Sequence, residues 1–597
     1  MNYKRKAFFQ RISVCSIICC IVLLISATAF AAAHNSYQDG LEFGRLNSAA
    51  IQSNIDALKK MADEHTINMT TVMEQAYQDE ELYNKIMPDK VQWMHGVAEG
   101  ANLPYEKLLV LNSVDRNITG FQGECTTFMA QGSALKGSKG TIISKNRDQS
   151  AATLSEIGLQ EKARHSSDEV YQAAYIDIPQ VIETYKFVGS RTAGRWGYGM
   201  GINEFQVSVS DNDSTSRDIL EFKKGLHDND VVRLVLERAK TARERVDVVA
   251  NLVEKYGQSW NGIMFEIGDP NELWIVEVTG HRWAAKRYVN TITARSNQYE
   301  IGDDYDLCSK DLVSFAVEQK WVKEGTQRIN FRKVYGTLEL YPESNDNFAK
   351  RPAVEKLYNT EMRYQRAMEL LTKANGQIDA GILIPFTRDH YDTYKLPSGK
   401  VIDMHQVPFY SSDAVDWYNR EWMPEWPKKD TIETSIYIRG ICGHDLGWGA
   451  TSSTGMMISR PDVPNELGVM LHSFMQPCNS TYIPFYVGMT KLDPRYSTPK
   501  AAYTFHNIAM RSFGYYKLYH DGIRLAFDPY EKQLLSDMPA FEQQYMELKK
   551  SGNDSEAQNA INNFVAEKCN SALKAADKAL DNMEEAAIRN SQWQARQ

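Results

Sequence analysis

The stretch that decides the fold is CTTFM at residues 125–129, which a turn rich in Gly, Ser and Lys at residues 132–140 joins to TIIS at residues 141–144. Both segments favour β-structure, and two such runs separated by a turn predict a β-hairpin. The chain ahead of Cys125 has a helical pattern instead. The sequence therefore predicts that a sheet-containing unit begins at this cysteine.

Helical patterns fill the chain before the hairpin. Apolar residues recur at three- and four-residue spacing in residues 51–61 and again in residues 91–97, which is typical of amphipathic helices. Pro104 suits the first turn of a further helix, because its missing N–H is not needed there. We predict a helical segment over residues 32–124.

Strands and helices alternate after the hairpin. The pattern predicts a strand at residues 205–210, a hairpin formed by residues 273–278 and 282–288, one helix over residues 231–254, and helical chain from residue 542 onward. Strand blocks that alternate with long helices predict a layered sandwich of sheets and helices.

The amino-terminus has the pattern of a secretory signal peptide. Four basic residues within the first eleven precede an apolar run at residues 14–25 and then SATAFA at residues 26–31. Ala29 and Ala31 are the small residues that signal peptidase requires, so we predict cleavage after Ala31 and export to the periplasm or the medium, with no stable membrane insertion afterwards. The alternative is an uncleaved anchor, since residues 12–33 are long enough to span a bilayer.

Composition excludes some functions. Apolar residues make up 43% of the 597 residues and charged residues 24%, as in ordinary folded proteins. The net charge of −9, without a basic cluster, argues against a nucleic-acid partner. A homo-oligomer is compatible with these features.

Five cysteines follow the predicted signal peptide: Cys125, Cys308, Cys442, Cys478 and Cys569. An odd number leaves at least one thiol unpaired unless chains cross-link. No CxxC, HExxH or His/Cys run has the spacing of a zinc site, so we predict no metal and no cofactor. His444 and Asp445 could suggest a metal or acid–base pair, but a third ligand at suitable spacing is missing, and we interpret them as structural or pocket-lining residues.

Cys125 alone reads as a buried core residue, but its position suggests another role. A cysteine nucleophile must be deprotonated, and its ordinary pKa of about 8.5 leaves little thiolate at neutral pH. The papain-type signature is absent. If the peptide bond before Cys125 were cut, the freed α-amino group, with a pKa of about 8, could act as the base on the same residue. Residues 32–124 would be the precursor segment that such a site needs.

Several motifs then resemble the dipeptidase family of cysteine N-terminal-nucleophile hydrolases. They are CTTF at 125–128, GTIISKNRD at 140–148, GINE at 201–204, NELWIVEV at 271–278, GHRWAAKR at 280–287 and YIPFYVG at 482–488. The resemblance covers about residues 125–503. GVAEGA at residues 96–101 is similar to the pro-segment of the isopenicillin N acyltransferase branch, and choloylglycine hydrolases and penicillin V acylases are relatives by fold.

The resemblance implies an α+β fold, a four-layer αββα sandwich with a helical pro-segment and a helical carboxy-terminal extension. The domains would be a signal peptide at residues 1–31, the pro-segment at 32–124, the catalytic domain at 125–503 and the extension at 504–597. The precursor would cut itself between Glu124 and Cys125 and would need no cofactor.

The same resemblance implies the site residues. Cys125 would be the nucleophile and, through its α-amine, the base. Asp148 would hold that amine, Asn297 would stabilise the oxyanion through its amide, and Arg366, the second arginine of RYQR at residues 363–366, would orient the site. Asp213 would line the substrate pocket near the oxyanion.

Two positions depart from the family pattern. Lys145, a substrate-binding candidate, stands where relatives have an arginine, so a planar two-pronged donor is lost while the charge is kept. Gln206 stands where a glycine commonly follows N-E-x, and a turn that needs positive φ would be strained there.

The resemblance favours a dipeptidase that acts on short peptides. Two alternatives stay open. An acylase or acyltransferase acting on N-acylated small molecules is favoured by the pro-segment. A non-catalytic exported binding protein on the same fold is suggested only by Lys145.

Overall fold

The computed structural model describes most of the chain. The described residues are 36–65, 69–86, 88–113, 125–149, 153–173, 175–218, 225–259, 262–336, 353–395, 401–403, 440–444, 450–512 and 516–594. The predicted signal peptide, Glu124 and Asp445 lie outside them. The chain divides into two compact units, Met1–Val114 and Asp115–Gln597.

The first unit is helical over its described residues. Its helices are α1 (Ser36–His65), α2 (Met69–Ile86), α3 (Pro88–Gly100) and α4 (Tyr105–Ser113). Glycines at four-residue spacing bring α1 and α3 into backbone contact: Gly40 and Gly44 face α3, and Gly96 and Gly100 face α1. A Cβ atom at Gly96 would lie 2.0 Å from the carbonyl oxygen of Tyr37. Only glycine permits so close an approach of two backbones.

The second unit contains the sheets. Its strands are β1 (Cys125–Gln131), β2 (Thr141–Gln149), β3 (Ser155–Gln160), β4 (Ala163–Arg164), β5 (Val170–Gln172), β6 (Asp177–Pro179), β7 (Glu183–Thr184), β8 (Phe187–Thr192), β9 (Met200–Asn203), β10 (Ser208–Ser214), β11 (Gly262–Gly268), β12 (Leu273–Thr279), β13 (Arg282–Tyr288), β14 (Ile292–Arg295), β15 (Leu307–Cys308), β16 (Thr393–Lys395), β17 (Val401–Asp403), β18 (Ala450–Ser459), β19 (Val469–Phe474) and β20 (Ile483–Tyr486). Its helices are α5 (Asp228–Arg238), α6 (Ala242–Tyr256), α7 (Leu312–Glu318), α8 (Phe331–Tyr335), α9 (Ala353–Ala374), α10 (Ala380–Thr387), α11 (Lys500–Ser512), α12 (Tyr516–Lys550) and α13 (Asp554–Gln594).

Two antiparallel sheets form the centre of this unit. One has six strands in the order β14-β1-β2-β18-β19-β20, and the other has eight in the order β15-β13-β12-β11-β10-β9-β8-β3. The predicted hairpins are confirmed, because β1 pairs with β2 and β12 pairs with β13 in antiparallel register. The inner faces of the sheets meet, for example where the Thr127 hydroxyl on β1 donates to Asn212 Oδ1 on β10 at 2.9 Å.

Helices cover both outer faces. On the eight-stranded sheet, Val231 of α5 and Val246 of α6 share a buried apolar cluster with Phe265. On the six-stranded sheet, helices α9 to α13 contribute to a cluster that includes Phe128 of β1 and Phe485 of β20. The layers are therefore helix, sheet, sheet and helix, and the predicted αββα sandwich is confirmed.

Two local features differ from the predicted pattern. The region predicted as one helix is two, because the chain becomes extended at Ala239 and α6 starts anew with Thr241, whose side chain accepts from the N–H of Glu244. The strand predicted at residues 205–210 begins at Ser208, because Gln206 forms a turn before it.

Gln206 adopts the left-handed conformation that the glycine comparison implied, with φ of 57°. Its side-chain amide compensates, since Nε2 donates to the Arg460 carbonyl at 2.9 Å and Oε1 accepts from the Arg460 N–H at 2.8 Å. The strain of a non-glycine residue here is thus offset by two hydrogen bonds that glycine could not make.

The carboxy-terminal helices α12 and α13 pack beside β20, where the rings of Phe541 and Phe564 stack at 4.1 Å and contact Tyr486. Among the residues that the structure describes, none of the helices combines the length and the apolar character needed to cross a membrane.

Candidate active site

Cys125 is the first residue of β1, which lies inside the six-stranded sheet between β14 and β2. It lies opposite Arg147 in the register with β2. Only 2% of its surface is exposed. Its pairing with β2, and the pairing of β1 with β14 from Thr127 onward, hold this residue at a defined position in the sheet.

Side chains from two other elements bind the main-chain atoms of Cys125. Its nitrogen donates to Asn297 Oδ1 at 2.8 Å, and its carbonyl oxygen accepts from Arg363 Nη1 at 2.6 Å. Arg363 Nη2 also donates to Asn297 Oδ1 at 2.9 Å. These three bonds form a clamp, which we call the Asn297–Arg363 clamp, around the first peptide groups of β1.

The clamp determines how Asn297 is oriented. Its Oδ1 accepts from two donors, so its amide nitrogen points the other way and donates to the carbonyl oxygen of Asp213 at 2.9 Å. The structure thus brings Asn297 and Asp213 together with Cys125. Asp213 participates through its main chain, and its side chain is buried.

The arginine at Cys125 is not the one we selected from the sequence. Arg366 lies one helical turn further along α9, where its guanidinium binds Asp389 with distances of 2.6 to 3.1 Å and also contacts Glu369 and Asp392. Arg363 reaches Cys125 instead because it lies on the buried face of the helix, with 1% exposure.

The sequence does not single out Arg363, because Arg366 has apolar residues four positions away on either side. In the structure, Thr360, Arg363, Ala367 and Leu371 are all buried, and their spacing of three and four residues is that of one helix face. Burial of this face therefore distinguishes Arg363 from Arg366.

Asp148 lies on β2, one residue beyond the Cys125–Arg147 pair and on the side where the chain enters Cys125. It is buried, and its Oδ1 accepts a hydrogen bond of 2.6 Å from the hydroxyl of Thr451 on β18. The register therefore places Asp148 next to the amino end of β1.

Lys145 is buried in an ion pair between the two sheets. Its Nζ lies 2.6 Å from Asp211 Oδ1 and also bonds the Asp211 carbonyl oxygen. Burial alone would lower the pKa of Lys145, but Asp211 and then Cys125 oppose this, and its pKa is raised. Lys145 is therefore a buried cation beside the cysteine, with 1% exposure.

Arg147 extends the same polar network. It donates to Asn229 Oδ1 at 2.8 Å, and the Asn229 amide donates to Asp211 Oδ2 at 3.3 Å. Lys145 and Arg147 thus both connect to Asp211, one directly and one through Asn229.

A further carboxyl lies near this network. Burial raises the pKa of Glu266 to about 7, although Lys145 and a 2.7 Å hydrogen bond from the Ser210 hydroxyl act in the opposite direction. Its Oε1 has no hydrogen-bond partner among the described residues. Glu277, also buried, has its pKa raised to about 7 by burial.

One group of residues could hold a metal, contrary to our interpretation of the sequence. His444 lies together with His390, Cys442 and Cys478, and the four ligand atoms are all within 4.8 Å of one another. We overlooked this group because its members are spread over residues 390–478, and Asp445, the partner that we considered, lies outside the described residues.

The model of the family described as Peptidase family C69 matches residues 124–512. A probable dipeptidase of Latilactobacillus sakei is 27% identical over 294 residues, which are 45% of this chain and 60% of that protein. A probable dipeptidase B of Lactococcus lactis subsp. lactis (strain IL1403) is 25% identical over 409 residues, 64% of this chain and 78% of that protein. The chain thus spans less than two thirds of the length of the first of these relatives.

Two solved structures have distant similarity to this chain. A mutant of the conjugated bile acid hydrolase from Clostridium perfringens has a TM-score of 0.28 at 12% identity, covering 61% of this chain and 92% of that one. Penicillin V acylase from Agrobacterium tumefaciens has a TM-score of 0.27 at 11% identity, covering 62% and 87%.

Proposed function

Because the chain belongs to peptidase family C69, we propose that it is a cysteine-type amide-bond hydrolase, and specifically a dipeptidase that uses Cys125 as its nucleophile. The observation that carries the proposal is the Asn297–Arg363 clamp, which binds the nitrogen and the carbonyl oxygen of Cys125. Asn297 Oδ1 thus already accepts from the nitrogen that would become the α-amine after processing.

The first step of the proposal is self-processing. In the full-length chain the nitrogen of Cys125 belongs to a peptide bond and cannot act as a base. We propose that Cys125 Sγ attacks the carbonyl carbon of Glu124, that the C–N bond breaks, and that the nitrogen leaves as an amine carrying the thiol proton. Water then hydrolyses the thioester, which leaves a carboxylate on Glu124 and a free thiol and α-amine on Cys125.

The clamp and Asp148 would then hold the new amine. Asn297 Oδ1 already accepts from this nitrogen, and an amine can donate more hydrogens than a peptide N–H. Asp148, next to the amino end of β1, would accept another hydrogen and would stabilise the protonated amine by its charge.

In the proposed catalytic cycle, the neutral α-amine takes the proton of the Cys125 thiol, and the thiolate attacks the carbonyl carbon of the substrate. The amine then protonates the departing nitrogen, and a water molecule activated by the amine hydrolyses the thioester. An amide nitrogen carries two hydrogens, so the bond from Asn297 to the Asp213 carbonyl does not by itself prevent Asn297 from donating to the oxyanion.

We also propose that the chain is exported, on the basis of the signal-peptide pattern at residues 1–31. Export would place the enzyme where short peptides from outside the cell, or from the periplasm, are available. Signal cleavage would expose residue 32 before processing exposes Cys125.

Intact mass and amino-terminal sequencing of purified protein test the processing step. We expect wild-type protein with a new amino-terminus at Cys125 and a Cys125→Ala variant with an unbroken chain, because alanine has no nucleophile. Cys308→Ala is the matched control, since Cys308 lies on β15 in the other sheet, and it should be processed like wild type. An active protein whose peptide bond before Cys125 is intact would disprove the mechanism.

A substrate panel tests the activity separately. Processed enzyme is assayed with dipeptides, penicillin V, bile-salt conjugates and acyl homoserine lactones, and dipeptides should be the best substrates. A preference for N-acylated compounds would favour an acylase. Absence of both processing and labelling of Cys125 by an electrophilic amide analogue would favour a binding protein.

A further inference from the structure

Two histidines and two buried cysteines meet in a second group, away from the clamp. His390 follows helix α10, Cys442 and His444 belong to the segment at residues 440–444, and Cys478 lies in the short 3-10 turn Pro477–Asn479 after β19. Their ligand atoms all lie within 4.8 Å of one another. We propose that these four residues bind one zinc ion.

The distances between the ligand atoms fit a tetrahedral site. The two Nε2 atoms of His390 and His444 are 3.1 Å apart, and the two sulfur atoms are 3.6 Å apart. His444 Nε2 lies 3.4 Å from Cys442 Sγ and 3.0 Å from Cys478 Sγ.

These separations can be compared with the edges of a zinc tetrahedron. Bonds of about 2.3 Å to sulfur and about 2.0–2.1 Å to nitrogen give edges of about 3.8 Å between sulfurs, 3.3 Å between nitrogens and 3.5 Å between sulfur and nitrogen. The four separations given above lie within about 0.5 Å of the corresponding edges, and the two remaining ones, from His390 to each sulfur, are at most 4.8 Å. These separations therefore fit four of the six edges of a tetrahedron around one zinc ion.

A disulfide between Cys442 and Cys478 is the main competing arrangement. It would require sulfurs about 2.05 Å apart, whereas they are separated by 3.6 Å. It would also leave unexplained why two imidazoles direct their Nε2 atoms at the same point. Two thiolates and two imidazoles form a ligand set typical of structural zinc.

Charge and burial agree with zinc. Zn²⁺ bound to two thiolates and two neutral imidazoles has no net charge, which suits a site whose two sulfur ligands are buried. Cys442 and Cys478 are 2% and 1% exposed. The ring of Tyr516 packs edge-on against both His390 and His444, with centroids 5.7 and 5.8 Å away. Four protein ligands fill all positions, as in structural rather than catalytic zinc sites.

The site would hold the segment at residues 440–444 in place behind the six-stranded sheet. The N–H of Gly443, between the two ligands of that segment, donates to Thr451 Oγ1 at 2.8 Å, and Thr451 donates to Asp148 Oδ1 at 2.6 Å. The zinc ion would therefore be a positioning element that supports Asp148 through one threonine. This inference concerns the metal alone and does not depend on the proposed function.

The test is metal analysis of the full-length chain expressed without a polyhistidine tag. We expect about one zinc ion per wild-type chain by inductively coupled plasma mass spectrometry. Cys442→Ser and Cys478→Ser should lower the zinc content at least tenfold, and the control Cys308→Ser should keep it.

A second measurement does not depend on whether the variants fold. Wild-type protein produced in cells supplied with Co²⁺ in place of Zn²⁺ should show the visible absorption of tetrahedral cobalt. It should also show the absorption of thiolate-to-metal charge transfer. Wild-type protein that carries no metal, or whose intact mass and peptide map show a disulfide between Cys442 and Cys478, would overturn the proposal. Stoichiometric binding of another metal would overturn the choice of zinc.

Discussion

Cys125 and the pair Cys442 and Cys478 are all buried, with exposures of 1–2%, yet their surroundings differ in one respect. At Cys125, the Asn297–Arg363 clamp forms hydrogen bonds with the main-chain nitrogen and oxygen. At Cys442 and Cys478, Nε2 of His444 contacts both sulfur atoms. Burial therefore does not distinguish the chemistry of these cysteines, whereas the atoms that their partners contact do.

The side chains of strand β2 alternate between the surroundings of Cys125 and the surroundings of Cys442 and Cys478. Lys145 and Arg147 point toward the second sheet and the network around Asp211, while Asn146 and Asp148 point to the opposite face. Asn146 donates to the carbonyl of Ile441, next to Cys442. Because neighbouring residues of a strand face opposite sides, one strand supports a charged environment at Cys125 and the zinc group behind it.

Removing the clamp should have the largest effect. Arg363→Ala should lower kcat/KM for a dipeptide about 10²–10³-fold, the effect typical of losing a preorganised polar group at the reacting centre. Arg366→Ala is the matched control on the same helix and should cost less than tenfold. Kinetics on processed enzyme, with melting temperatures for both variants, measures the difference. Equal losses in the two variants would mean that the arginines only stabilise α9.

The buried carboxyl groups of Glu266 and Glu277 should make the free energy of unfolding depend on pH. The pKa of Glu266 is raised from 4.5 to about 7 in the folded chain, so the folded state binds more protons than the unfolded state between these values. The contribution is fully present below about pH 4.5 and is lost as the pH rises through about 7. It amounts to about 3 kcal/mol at most.

Urea unfolding of the Cys125→Ala chain at pH 5 and pH 8 measures this effect. Glu266→Gln should reduce the fall in the free energy of unfolding between these two pH values, while Glu277, whose pKa has the same shift, keeps its share. An unchanged decline in the Glu266→Gln variant would show that other groups cause it.

Removing the Thr451 hydroxyl, which connects Asp148 with the segment that carries Cys442 and His444, should have the smallest effect. Thr451→Val removes the bonds to Asp148 and to the Gly443 N–H, and it should lower the free energy of unfolding by about 1–3 kcal/mol and reduce kcat severalfold while zinc stays bound. Thr454→Val is the control, because Thr454 is on the same strand but bonds Asn146. If Thr454→Val reduces kcat as much as Thr451→Val, support of Asp148 is not the cause.

Local patterns predicted much of the architecture. The hairpins β1–β2 and β12–β13 followed from β-prone runs around short turns, and these elements depend on residues close in sequence. The ends of helices and strands were less predictable. Helix α5 ends because the chain is extended at Ala239, and strand β10 starts late because of the turn at Gln206. Both depend on contacts, such as the bonds from Gln206 to Arg460, that come from a distant part of the chain.

The sequence by itself determined that a sheet unit begins at Cys125, that an acidic residue follows on the paired strand, and that a helix carries two arginines. Tertiary structure alone decided that Arg363 contacts Cys125, because helix rotation against β1 selects between two residues one turn apart. It also decided that His390, Cys442, His444 and Cys478 meet. Metal ligation depends on distances in space, and residues from separate connecting segments have no common period in the chain that could reveal those distances.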